Sequence, residues 1–398
     1  MNRYKKTISI ILTIACLAAF AWGTYAVFQR FLYPMRVGVV TSSGDSGWLV
    51  YKEAVAGTPY SVHRIAADEL ATAPLGNYDV LFLRGRGWQP TDAEIANIAK
   101  ASASGTAIHI YTASHETTQA MQNMPETLQE KITEYMAEGG AENYRAMLQC
   151  VARELKGHRV AVPDVVRKLK DGYFLFGTPL FENLADYEKH FDELYPHIPK
   201  DAPRVVMLGA FLNAYDTLER KALDTLIEKL IAKKMRVYCY MGSRANDSRL
   251  AMLEECKPDI AVYFPIGRIA DDQTIELLSR LNIPCLSAVN IQSPASEWRD
   301  EPTAMTGGYL NMAIVLPELD GVIEPTAIAA METDEDGVTL RQPILPRIDM
   351  LARRVDRWIQ LKRKPNVNLL IENEVFQYFA GITLSRNNVM KYDIYRQL

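Results

Sequence analysis

The chain reads as an α/β protein carrying an N-terminal transmembrane helix, with two parallel α/β units after it and a helical connector between them. Three observations predict this. Short β-branched runs alternate twice with segments of helical apolar spacing, the pattern of parallel strands joined by crossover helices. The run from Thr7 to Phe28 holds no charged residue, and roughly 20 apolar residues suffice to cross a bilayer. The composition, 48% hydrophobic and 23% charged over 398 residues, is that of an ordinary globular body, and such a length forms two or three cored domains. A formal net charge of -4 leaves no basic footprint for nucleic acid, which is therefore not an expected partner.

Residues 1–34 are read as a cytoplasmic stub and anchor. Arg3, Lys5 and Lys6 precede the apolar run, Trp22 and Tyr25 lie near its far end, and Arg30 closes it. Three readings compete. A cleaved signal peptide needs a small-x-small site, and Thr24-Tyr25-Ala26 is a poor one. A lipoprotein would place Cys16 at the end of the run, which instead continues past it. An uncleaved single-pass anchor fits best. Positive charge ahead of the span orients the N-terminus to the cytoplasm and the body to the periplasmic side of the inner membrane, while Arg30 and Arg36 beyond it weaken the asymmetry.

Residues 35–156 form the first α/β domain. Arg36–Thr41, Tyr78–Gly85 and Thr106–Ser114 are its strands, and Thr91 to Ala101 is a helix opened by the capping box Thr91-x-x-Glu94. Residues 157–203, rich in aromatics and turn formers, form the connector. Residues 204–292 are the clearest unit, with strands at Arg204–Phe211, Met235–Gly242, Asp259–Pro265 and Ile283–Val289. Between them lie a helix capped by Asp216, with the stripe Ala222, Leu223, Leu226, Ile227, Leu230 and Ile231, and helices at Ser248–Cys256 and Asp272–Leu281. Four strands with three crossover helices make a flavodoxin-like layout, so both units are expected to be flavodoxin-like. Asp349 to Lys364 is an amphipathic helix with Leu351, Val355, Trp358 and Ile359 on one face.

Ligands of parallel α/β sheets bind at the C-terminal strand ends. In the second unit these ends offer Gly209, Asn213, Gly242, Ser243, Arg244, Gly267, Arg268, Asn290 and Gln292. Arg244 and Arg268 are the substrate-binding candidates, since guanidinium matches the geometry of a carboxylate; each taken alone also reads as a solvated loop arginine. In the first unit Ser42-Ser43-Gly44-Asp45-Ser46-Gly47 follows a strand but lacks a P-loop lysine and a G-x-G-x-x-G pattern, so a plain turn is favoured over a phosphate cradle. His63, His109, His115, His158, His190 and His197 show no i, i+4 pair, and the five cysteines no C-x-x-C. No metal site is assigned, and Cys150, Cys239, Cys256 and Cys285 read as buried free thiols. Glu318 and Asp320 are open to two readings, a buried acidic pair or a turn cap before Gly321, the second favoured.

The stretch "MTGGYLNMAIVLPELDGVIEPTAIAAMET", Met305 to Thr333, resembles the signature of the CobN/magnesium-chelatase large-subunit family. The resemblance runs from about Met147 to Asn368 and includes "GYFLFGTPLFENLADYEKHF" (Gly172–Phe191) and "RVDRWIQLKRKPN" (Arg354–Asn366). The anchor makes the chain more similar to the HmuS-like branch, linked to haem utilisation. The resemblance implies a tetrapyrrole ligand, cobalt or magnesium insertion or iron removal, and partner subunits of AAA or other chelatase type that supply any nucleotide hydrolysis. Residues 293–368 hold the signature region. The tail 369–398 is unlike the long remainder of family members, which implies a truncated N-terminal portion, inactive alone, with no catalytic residue to carry over. A membrane-anchored tetrapyrrole-binding scaffold without catalysis and a non-functional gene remnant are the alternatives.

Overall fold

A computed structural model describes residues 13–24, 35–41, 44–85, 88–113, 115–177, 179–209, 212–242, 247–269, 272–300, 305 and 307–363, the side chains of 247–249 apart. The chain divides into two compact units, Met1–Lys168 and Leu169–Leu398. Residues 13–24 are helical, with Ile14, Leu17, Phe20 and Trp22 exposed. The rest of the apolar run 7–28 lies outside the described residues. No helix among the described residues is long and apolar enough to cross a membrane.

In the first unit β1 (Arg36–Thr41), β2 (Ser61–Ala66), β3 (Val80–Arg84) and β4 (Ala107–Tyr111) form a parallel sheet ordered β2-β1-β3-β4. Strand β2 was not expected. It is an edge strand with His63 and Arg64 exposed, so it lacks the continuous apolar run that marks a buried parallel strand. One face packs Val37, Val39, Val80 and Phe82 on apolar residues of the helices Glu126–Glu138 and Gly140–Lys156. The other packs Leu81, Leu83, Ile108 and Ile110 with Ile98 and Ala101 of helix Asp92–Ala103. That helix starts with the expected capping box: Glu94 N–H donates to Thr91 Oγ1 at 3.3 Å, and Thr91 N–H donates to Glu94 Oε2 at 2.6 Å. The outer edge of β4 is closed by side-chain amides, Asn123 Oδ1 accepting from Ile108 N–H at 2.7 Å and Gln122 Oε1 from Ile110 N–H at 3.1 Å.

The expected connector divides between the units. Residues up to 168 lie with the first; there Asn143 holds Val166 through both its amide atoms at 2.9 Å, and Tyr135 O–H donates to Pro163 O at 2.6 Å. Gly172–Phe174 is instead β5, an edge strand of the second sheet. With β6 (Arg204–Gly209), β7 (Arg236–Met241), β8 (Ile260–Phe264), β9 (Cys285–Asn290), β10 (Val322–Thr333) and β11 (Thr339–Pro343) it makes a seven-stranded sheet ordered β11-β10-β9-β8-β6-β7-β5. The five central strands are parallel, and β5 and β11 are antiparallel at the edges. Counted from β6, the parallel core runs second-first-third-fourth-fifth, the flavodoxin-like order. The unit is thus larger than the four strands expected, because the signature region supplies β10 to the same sheet rather than forming a separate region.

Helix Lys221–Ala232 begins one turn after the expected cap. Asp216 does accept from Glu219 N–H, at 3.1 Å, but as a turn ahead of the helix. All six residues of its predicted stripe are buried, and full burial contributes about 1.5–3 kcal/mol for each leucine or isoleucine. It packs on helix Leu345–Arg363, where Leu351, Val355 and Ile359 are buried as the spacing predicts. Cys150, Cys239, Cys256 and Cys285 are buried free thiols.

Candidate functional site

Ligands of open parallel α/β sheets bind beyond the C-terminal strand ends, which makes that end of the second sheet the candidate. Strand β6 lies between β7 and β8, the position at which strand order reverses and neighbouring loops part. Gly209 closes β6. A Cβ there would lie 2.9 Å from Phe264 Cβ and 3.0 Å from Phe264 O, so only glycine lets the strand ends approach this closely. The loop beyond is shaped by its own side chains, Asn213 Oδ1 accepting from Tyr215 N–H at 2.9 Å. Arg220 then gathers it, donating to Ala214 O at 2.7 Å and to Phe176 O at 2.5 Å.

Of the two arginines predicted to meet a carboxylate ligand, Arg244 lies outside the described residues. Arg268 is already paired. Its Nη2 lies 2.5 Å and its Nε 2.6 Å from Asp320 Oδ1. The other Asp320 oxygen accepts from Ile269 N–H at 2.7 Å. The neighbouring backbone is held as well, Gly267 N–H donating to Met312 O at 2.7 Å and Tyr263 O–H to Arg268 O at 2.9 Å. Asp320 therefore fixes the loop after β8. Asp320 N–H to Pro317 O and Gly321 N–H to Glu318 O, both 3.0 Å, make the turn before β10. Asn290 O, at the end of β9, accepts from the Tyr309 hydroxyl.

Two segments far apart in sequence also meet in the core of this unit. Glu324 of β10 is 3% exposed and holds a left-handed φ of 52° where the pairing of β10 with β9 shifts register. Its carboxylate lies 3.4 Å from Arg354 Nε and accepts from Trp358 Nε1–H at 3.0 Å, while Arg354 Nη1 donates to Thr326 Oγ1 at 3.2 Å. Burial raises the Glu324 carboxyl above the usual range, with Arg354 opposing. A buried charge needs a partner of this kind to be tolerated. The Glu-Pro-Thr of the signature stretch and the Arg-x-x-x-Trp of the last helix are thus two halves of one contact.

Sequence reasoning missed the buried arginines. Arg236 is 1% exposed at the start of β7, donates to Asp192 Oδ1 at 2.7 Å and to Tyr238 Oη at 3.1 Å, and stacks 4.7 Å over Phe191. The available signal was a lone charge opening an otherwise apolar strand. In the first unit, Asp45 is buried just ahead of helix Ser46–Val55, with Arg64 Nε 2.7 Å away. His109 is buried on β4, and burial lowers it to about 4. His190 lies against Phe181 and His197 against Tyr195. Among the described residues no group of three or more His, Cys, Asp or Glu side chains is arranged to hold a metal ion.

Residues 133–371 match the family model described as CobN/Magnesium Chelatase. An uncharacterized protein of Methanocaldococcus jannaschii, MJ1441, is 32% identical over 109 residues, 26% of this chain and 9% of that protein. The aerobic cobaltochelatase subunit CobN of Pseudomonas aeruginosa is 25% identical over 262 residues, 62% of this chain and 20% of that protein. The chain therefore spans no more than 20% of the length of these relatives. The catalytic subunit of cobaltochelatase from Mycobacterium tuberculosis shares the fold with a TM-score of 0.53 at 18% identity, covering 83% of this chain and 28% of that one. The matched residues take in the whole second sheet, the Arg268–Asp320 loop and the Glu324–Arg354 contact, and on that match the chain belongs to the CobN/magnesium chelatase family.

Proposed function

We propose that this chain is a tetrapyrrole-handling part of a CobN-like metal chelatase, binding the macrocycle at the C-terminal end of the second sheet. The observation that carries this reading is the family match over residues 133–371, supported by a parallel strand order of the kind whose ligands bind beyond the C-terminal strand ends. The overall exchange replaces two pyrrole N–H protons by a divalent ion, or returns them when the ion leaves. The ion is substrate here. Nucleotide hydrolysis, where needed, belongs to separate chelatase subunits. A macrocycle is a large apolar disc, so its burial supplies most of the affinity, at roughly 25 cal/mol per Å² before association costs.

The finer features are part of the same proposal. An HmuS-like specificity for haem would make iron removal the direction of reaction. The apolar run 7–28, exposed along its described portion 13–24, anchors the body on the periplasmic side. Without those separate subunits, the expected behaviour of these 398 residues is binding without turnover. The test is absorption spectroscopy of the purified chain with haem, and with a metal-free porphyrin plus cobalt or magnesium. A Soret shift with no metal release or insertion above the protein-free rate supports the reading; no spectral change with either macrocycle removes it.

A further inference from the structure

Arg220 is 9% exposed and every nitrogen of its guanidinium is engaged. Nη1 donates to Ala214 O at 2.7 Å, Nη2 to Phe176 O at 2.5 Å, and Nε to Asp224 Oδ1 and Oδ2 at 2.8 and 3.1 Å. One buried charge thus ties together two loops and the helix that starts beside it. Gly177 makes room for this. Its φ is 113°, and a Cβ there would lie 2.6 Å from Arg220 Nη1 and 2.9 Å from Ala214 O. Arg236, by contrast, sits at the opposite end of the sheet, where β7 begins, and its hydrogen bonds go to side chains, those of Asp192 and Tyr238. Losing Arg236 would weaken the fold; losing Arg220 would release the carbonyls of Phe176 and Ala214.

Resting on the tetrapyrrole reading above, we propose that Arg220 is a positioning residue of that end, clamping Phe176 of the segment after β5 to Ala214 of the segment after β6 so that this end of the sheet is preformed for a planar macrocycle. Arg220 does not touch the ligand, because its nitrogens are already committed. It acts through the backbone at Phe176 and Ala214. A preformed site spares the ligand the cost of ordering both loops, so loosening the clamp lowers affinity.

The experiment is a haem titration of the full chain followed by Soret absorption, with a melting temperature for each protein, on wild type, Arg220→Met, Gly177→Ala and Arg236→Met. Gly177→Ala keeps the arginine but pushes it aside, and it decides the matter if Arg220→Met fails to fold. The expected result is affinity weaker by about tenfold or more in Arg220→Met and Gly177→Ala, with Arg236→Met losing melting temperature but staying within about twofold of wild-type affinity. Wild-type affinity in both clamp variants overturns the proposal, as does an equal loss in Arg236→Met. Wild type that binds no haem overturns the tetrapyrrole reading together with the clamp, whereas wild type that binds and clamp variants that bind equally well overturn the clamp alone.

Discussion

Acid should weaken the first unit through His109, and the size of the effect follows from its surroundings. The imidazole is 2% exposed on β4, edge-on to Phe82 at 6.0 Å, and neither ring nitrogen has a hydrogen-bond partner among the described residues. Burial disfavours the charged form and lowers the group from 6.5 to about 4. The unfolded chain therefore binds this proton more readily than the folded one, and the His109 contribution is lost as pH falls from 6.5 through about 4. The loss should reach about 2 kcal/mol by about pH 5 and about 3 kcal/mol by about pH 4. Replacing His109 by Leu removes the titration and a polar group buried without a partner. The variant should be more stable at neutral pH by about 1 kcal/mol, and the gap should widen on acidification. The assay is urea unfolding at a series of pH values, read by pulsed hydrogen exchange at β3 and β4. Wild type and variant losing stability in parallel between about pH 6.5 and 4 would refute the reasoning, whatever the carboxylates elsewhere contribute.

Breaking the Glu324–Arg354 contact from one side should be costly. Arg354→Met leaves a buried carboxylate unpaired and should destabilise the second unit by about 3–5 kcal/mol in urea unfolding, with Glu324→Gly in the same chain recovering part of the loss because glycine accepts the left-handed backbone. A loss below about 1 kcal/mol would show that the pair is solvated. Thr91→Ala should cost about 1 kcal/mol, confined to exchange protection in helix Asp92–Ala103. Asp320→Asn should speed amide exchange at Ile269 without altering β10, and an unchanged rate would contradict its role in holding the loop after β8. If residues 7–28 anchor the body, cell fractionation should leave the chain in the membrane pellet with its N-terminus intact; a soluble product beginning near Val27 would show cleavage instead.

The parts of the fold legible in the sequence are those with strong local periodicity. Buried parallel strands announce themselves as apolar runs: β1, β3, β4, β6, β7 and β8 lie within the predicted segments, and β9 runs one residue past its own. Edge strands do not. Strand β2 carries His63 and Arg64 outward, and β5 is three residues long; both are specified by their neighbour rather than by their own residues. Strand β10 is apolar in sequence, but nothing local says which sheet it joins. The same limit hid the site. Arg268 reads as a free cation until Asp320, 52 positions on, is brought to 2.5 Å. Arg220 and Arg236 look like surface charges because their partners are a turn away or tens of residues distant.

Binding of a tetrapyrrole at the C-terminal end of the second sheet is tested by hydrogen exchange of the full chain with and without haem. The expected result is haem-dependent protection in residues 212–220 and 265–269, with no change at the strand starts Arg204, Arg236 and Ile260. Protection confined to the first unit, to the opposite end of the sheet, or absent while haem remains bound would contradict it.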